Sequence, residues 1–185
     1  MTRIKPFDSF AKIRVDRRQN GQDKLFLIFE WSNSSNPPVA IDAVTFLSES
    51  GFLELAVSGG FTFHFGFLTG TAQIALGPSS RQSITYETKS IGALSAVNNP
   101  GLPGDGHAAG GFHHAFNLTA LHHPVAPFQT VRIEISVTID SDCFATFQST
   151  TDFQTKADFE SGFLGVSCPV VVVRVSQVPP GLTPD

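Results

Sequence analysis

The sequence predicts an all-β protein built as a single antiparallel β-sandwich. Three observations predict it. Apolar and polar residues alternate with period two along several segments. Turn-forming clusters of Gly, Pro, Asn and Ser punctuate the chain, which leaves about nine or ten short strands. No segment sustains a helical period. The 185 residues suffice for one sizeable core, read as one domain over residues 1–178 with a disordered tail over 179–185.

In order along the chain, Ala11, Ile13 and Val15 alternate with Lys12 and Arg14 as a first strand. Asn20-Gly21 is a turn signal. Residues 24–31 (KLFLIFEW) are apolar at both parities, which predicts a central strand covered on both faces. Residues 33–38 (NSSNPP) form a loop, and residues 39–47 form the next strand. The apolar positions of that strand change parity near Asp42-Ala43, which predicts a β-bulge. Ser50-Gly51 and Ser58-Gly59-Gly60 bracket a short strand over 52–57.

Residues 61–67 (FTFHFGF), 72–76 and 82–88 are the next expected strands. Residues 90–111, rich in Gly, Pro, Asn and Ala, read as the longest loop. Val131, Ile133, Ile135, Val137 and Ile139 alternate with polar residues and make the clearest strand. Residues 143–148 are expected to fold back on it across Asp140-Ser141-Asp142 as a hairpin. Residues 152–164 suggest a short helical turn, and 170–175 the last strand.

The layout of strands around Trp31, Pro37-Pro38 and Gly77-Pro78 resembles that of immunoglobulin-like sandwiches. The antibody order Cys…Trp…Cys is absent, because Trp31 precedes both Cys143 and Cys168. A jelly roll accommodates the same strands. Under either topology the long Gly/Pro/His-rich stretch is an insertion.

Composition narrows the function classes. Charged residues are 15% of the chain, against about 25% in ordinary soluble domains. Such a surface suits an extracellular or virion protein, or a subunit partly covered by neighbours. Phe occurs 18 times against one Trp and one Tyr. Phe lacks the polar atom that lets Trp and Tyr sit half wet, so a glycan-binding surface is disfavoured. Residues 1–24 carry net charge +4 and the remainder −8. The basic stretch reads as an edge strand blunted by Lys and Arg, or as a docking strip (Arg14, Arg17, Arg18) for the acidic body of a neighbour. It is too short to signal nucleic acid. Met1–Phe10 contains no signal-peptide-like apolar run, and no 18 consecutive apolar residues occur. Cys143 and Cys168 read as buried free thiols, with one disulfide as the alternative.

Two segments stand out as candidate sites. Phe61, Phe63, Phe65 and Phe67 share one face of an extended strand. They read first as core, and as an interface if they are not core. Five of the six histidines lie between residues 107 and 123: His107, His113, His114, His122 and His123. If residues 112–123 form a hairpin, one imidazole from each doublet meets the other, and Asp105 with His107 completes a tetrahedral site for Zn, Cu or Ni. A third, weaker set is the acidic run Asp140, Asp142, Asp152, Asp158 and Glu160, which lacks the spacing of a Ca²⁺ loop.

No nucleophile elbow, P-loop, dinucleotide fingerprint or HExxH occurs, which points away from an enzyme. The expected function is therefore a non-catalytic structural or interaction module that self-associates, such as a coat, decoration, filament or adhesin-like subunit. The alternatives are a metal-binding protein or enzyme using residues 107–123, and a glycan-binding module.

Overall fold

The computed structural model describes residues 2–4, 10–11, 14–17, 20–59, 64–78, 82–98, 106–145, 151–158, 166–168 and 170–182. Among these, all regular structure is strand: β1 (Thr2–Ile4), β2 (Phe10–Ala11), β3 (Arg14–Arg17), β4 (Gly21–Ser32), β5 (Val39–Gly59), β6 (His64–Pro78), β7 (Ile84–Asn98), β8 (Gly106–Val125), β9 (Thr130–Ala145), β10 (Thr151–Asp158), β11 (Val166–Ser167) and β12 (Val171–Gln177). No described helix is long and apolar enough to cross a membrane.

The strands form two antiparallel sheets. One has four strands in the order β4-β9-β6-β7. The other is organised by β5. Along one edge β5 pairs with β8 from Val39 to Val57. Along its other edge it pairs in succession with β12, β11 and β10. β1 extends this sheet beyond β12, and β3 extends it beyond β10. The inward side chains of the two sheets make one core, including Leu47, Leu55, Leu68, Ile74, Ile133 and Ile135. This is the expected β-sandwich.

Several expected boundaries are corrected. Ser50-Gly51 interrupts nothing, because β5 runs from Val39 to Gly59. Pairing on both edges overrides the local turn preference. The expected long loop over 90–111 is mostly strand, divided between β7 and β8. The Gly/Pro/His-rich stretch is therefore largely part of the sheets. The expected hairpin at Asp140-Ser141-Asp142 is absent, since β9 passes straight through to Ala145. Residues 151–158 are strand rather than helical turn.

The irregularity near Asp42 is present, but the extra residue belongs to β8. Ile41 pairs with His123 and Ala43 with Ala120, so Leu121 and His122 together oppose Asp42. His122 takes the left-handed conformation that such a bulge needs, at φ 57°. Its backbone N–H donates to Asp42 Oδ1 at 2.8 Å. Asp42 thus holds a conformation that costs a non-Gly residue free energy.

The edges β7 and β8 close one side of the sandwich through side chains. The Thr119 N–H donates to Glu87 Oε2 at 2.6 Å, and Lys89 Nζ donates to the Asn117 carbonyl at 2.7 Å.

Candidate functional site

The phenylalanine ladder does not line the core where it is described. Phe67 is 44% exposed on the outer face of the four-stranded sheet, and Phe65 is half-buried. Phe61 and Phe63 lie outside the described residues. The face follows from parity. Leu68, Ala72, Ile74 and Leu76 of the same strand are buried, while Thr69, Thr71 and Gln73 share the parity of Phe65 and Phe67.

Packing explains why the aromatic rings face out. On the inner face of β6, a Cβ on Gly66 would lie 2.5 Å from Val57 Cγ2, and one on Gly70 would lie 2.6 Å from Ile91 Cγ1. The facing sheet and the β7 bulge at Ile91 already fill that space. Only residues without a side chain fit there, so the Phe set takes the other face.

β4 departs from expectation in the same direction. It pairs with β9 alone among the described strands, so it is an edge strand and not a central one. Its inward residues Leu25, Leu27 and Trp31 are half-buried, as expected at a sandwich border. Its outward residues Phe26 and Ile28 are 49% and 54% exposed. With Phe67 and Val97, also 44% exposed, they give the outer face of this sheet two apolar patches. One lies on β4, and the other on the adjoining ends of β6 and β7. Between them run Gln22, Lys24, Thr69, Thr71 and Asp140. Near Phe26 the face holds a shallow polar groove of about 220 Å³ bordered by Lys24, Gln73, Arg132 and Glu134.

The histidine segment is one continuous strand, so the expected hairpin does not form. His107 and His113 are exposed on the outer face of β8, and His114 points inward opposite Glu49 in the register. His107 Nε2 lies 3.1 Å from Glu54 Oε1, and His122 Nδ1 lies 3.4 Å from Asp42 Oδ1. The sixteen residues from His107 to His122 span roughly 50 Å of extended chain. No three His, Cys, Asp or Glu side chains are grouped to hold a metal ion among the described residues, and Asp105 lies outside them.

The second doublet does meet other chemistry. His123 is buried, and its Nδ1 lies 2.7 Å from the Tyr86 hydroxyl, with the two rings edge to face. They border an open cleft of about 490 Å³ together with Ile84, Leu121 and His122. The pair ties β7 to β8 and so joins the two sheets. Tyr86→Phe is expected to cost about 1–2 kcal/mol, read by urea denaturation. A loss below about 0.5 kcal/mol would show that the bond does not hold the sheets together.

Arg14 and Arg17 lie in β3, at the outer edge of the larger sheet, as expected of a basic edge strand. The register sets Arg14 against Asp158 and Asp16 against Lys156. Arg18 lies outside the described residues. Asp140 and Asp142 of the acidic run accept from the side chains of Gln22 and Asn20.

Sequence reasoning missed Glu49. It points into the core from β5 and is fully buried, and neither carboxylate oxygen has a hydrogen-bond partner among the described residues. Burial pushes its pKa up to about 8. It lies on the inward parity of Leu47 and Leu53, where a carboxylate is out of pattern, and that was the available signal. Cys143 and Cys168 are free thiols. Burial pushes both above the ordinary thiol range, with Asp142 adding to the effect at Cys143. Both are therefore weak nucleophiles.

No protein-family model matches this chain, and no curated protein matches it. Among solved structures, it is similar to a chain of infectious bursal disease virus, Gt strain, at 19% identity and a TM-score of 0.25, over 97% of this chain and 36% of that one. The Gx strain gives 15% identity and a TM-score of 0.25, over 92% and 37%. The chain thus spans little more than a third of the length of those it resembles.

Proposed function

We propose that this chain is a non-catalytic structural or interaction module that self-associates, of the coat, decoration, filament or adhesin kind. The observation that carries this reading is the outward placement of Phe26, Ile28, Phe67 and Val97 on one sheet face, each 44–54% exposed. Isolated exposed apolar residues are ordinary, but large ones gathered in patches on a regular sheet face mark an interaction surface. The low charge of the chain agrees with burial of its surface by neighbours, at a virion or extracellular surface.

We further read the topology as a jelly roll. Take β1, β4, β5, β6, β7, β8, β9 and β12 as strands one to eight. The sheets then hold one-eight-three-six and two-seven-four-five. That interleaving suits two nested Greek keys. In the immunoglobulin order the first two strands pair with each other, whereas here they lie in different sheets. The fold does not by itself give the function, which rests on the surface.

The test is light scattering coupled to size exclusion at about 100 μM, where an association with Kd near 1–10 μM is largely saturated. A mass above that of one 19.9 kDa chain is expected. A monomer throughout would overturn the reading.

A further inference from the structure

The self-association proposed above leaves the contact undefined, and β4 supplies one. Its outer edge has no partner strand among the described residues, so it presents a row of backbone N–H and C=O groups over Gly21–Ser32. A strand of twelve residues that no described strand pairs along this edge is long enough to template another strand. Phe26 and Ile28 stand half-exposed at its middle. Lys24 and Glu30 flank them on the same outward face, exposed.

We propose that a second copy of this chain pairs with that edge, β4 against β4, antiparallel about a two-fold axis at Leu27. This rests on the self-association reading and assigns its contact.

The argument is the symmetry of the sequence itself. Residues directly opposite in an antiparallel pair lie on the same face, so a two-fold axis must pass through a residue. With the axis at Leu27, Lys24 of each copy faces Glu30 of the other, and Phe26 faces Ile28. Leu25 faces Phe29 on the inner side. Charge meets opposite charge twice, and apolar meets apolar throughout the centre.

Neighbouring registers fail. Moving the axis to Phe26 sets Lys24 against Ile28. Moving it to Ile28 sets Phe26 against Glu30. An isologous contact of this kind closes as a dimer and does not run on into a fibre. It joins two four-stranded sheets into one of eight strands and removes an exposed edge. It also explains why residues 24–31 are apolar at both parities in a strand that lies at the border of its own sheet.

The test uses sedimentation equilibrium of the full chain with two charge variants, both at exposed positions that the core does not need. Lys24→Glu and Glu30→Lys are each expected to weaken dimerisation about tenfold or more, because each places like charges opposite one another twice. An equimolar mixture of the two variants is expected to form a heterodimer as tight as the native dimer, since every charge then meets its opposite. The double variant K24E/E30K is expected to regain the native affinity.

A cysteine scan reads the register. Leu27→Cys places the introduced thiols opposite each other across the axis, within disulfide range, and is expected to give a covalent dimer with diamide. Phe26→Cys and Ile28→Cys are each expected to give none. Charge variants that both self-associate with the native affinity would overturn the β4 contact and leave self-association standing. A mixture that binds no better than its components would also overturn it, as would cross-linking at Phe26→Cys instead of Leu27→Cys. A wild-type monomer at every concentration would overturn both readings.

Discussion

Glu49→Leu is expected to stabilise this protein at pH 8.5 by several kcal/mol and to do far less at pH 4.5. The sign follows from proton binding. The folded chain keeps the Glu49 proton to about pH 8, whereas the unfolded chain releases it near 4.5. Between those values the unfolded state binds fewer protons than the folded one. Stability therefore falls as pH rises, by about 1.4 kcal/mol per pH unit from this residue. Below the window both states hold the proton, and above it neither does, so the slope vanishes at both ends.

The full effect is of the order of 5 kcal/mol, a large part of the roughly 5–15 kcal/mol typical of a domain. Leu has nearly the volume of Glu and suits a site beside Leu47 and Leu53. Replacing an unpaired buried charge by an apolar side chain removes its desolvation cost. Urea denaturation of both proteins at the two pH values checks this. Equal pH slopes in the native chain and the variant would show that Glu49 is not the group responsible.

The second large effect separates two adjacent residues of β6. Leu68→Ala is expected to cost about 2–5 kcal/mol, the usual range for emptying a buried leucine site. Leu68 is fully buried and Phe67 is 44% exposed. Phe67→Ser is expected to cost no more than about 1 kcal/mol, the scale of a cross-strand surface pair. Thermal denaturation of both variants checks the contrast. If Phe67→Ser unfolds the chain and Leu68→Ala does not, the assignment of faces in β6 is reversed. Phe65→Asp probes the same question with a charge, and a folded product supports the outward face.

These two results bear on how the molecule divides its apolar residues. Glu49 spends stability on an inward carboxyl, while Phe26, Ile28 and Phe67 leave apolar surface outside. Neither choice favours an isolated, highly stable monomer. The outward residues make sense where another surface covers them. The inward carboxyl has no hydrogen-bonded role among the described residues, and its effect there is to tie stability to pH.

What the sequence determined by itself is local. Period-two alternation gave the strand class, and most clearly β9, where Val131, Ile133, Ile135, Val137 and Ile139 are all buried. A parity change marked the irregularity at Asp42. The basic composition of residues 1–24 marked an edge strand, and β3 lies within it. The outward face of Phe67 was also legible, because Leu68, Ile74 and Leu76 extend one parity and Thr69, Thr71 and Gln73 the other. Reading residues 61–67 and 72–76 as separate strands concealed it.

The tertiary structure decided the rest. It fused short runs into long strands, because ladder hydrogen bonds from neighbours outweigh the turn preference of Ser50-Gly51. It placed β4 at a border although its composition suits a sheet centre. It spread the histidines along β8, since whether a segment folds back depends on its partner strand and not on its own residues. The β-sandwich itself needed only alternation, which strands such as β9 carry along their own length. Its faces, edges and register needed the contacts between strands far apart in the chain.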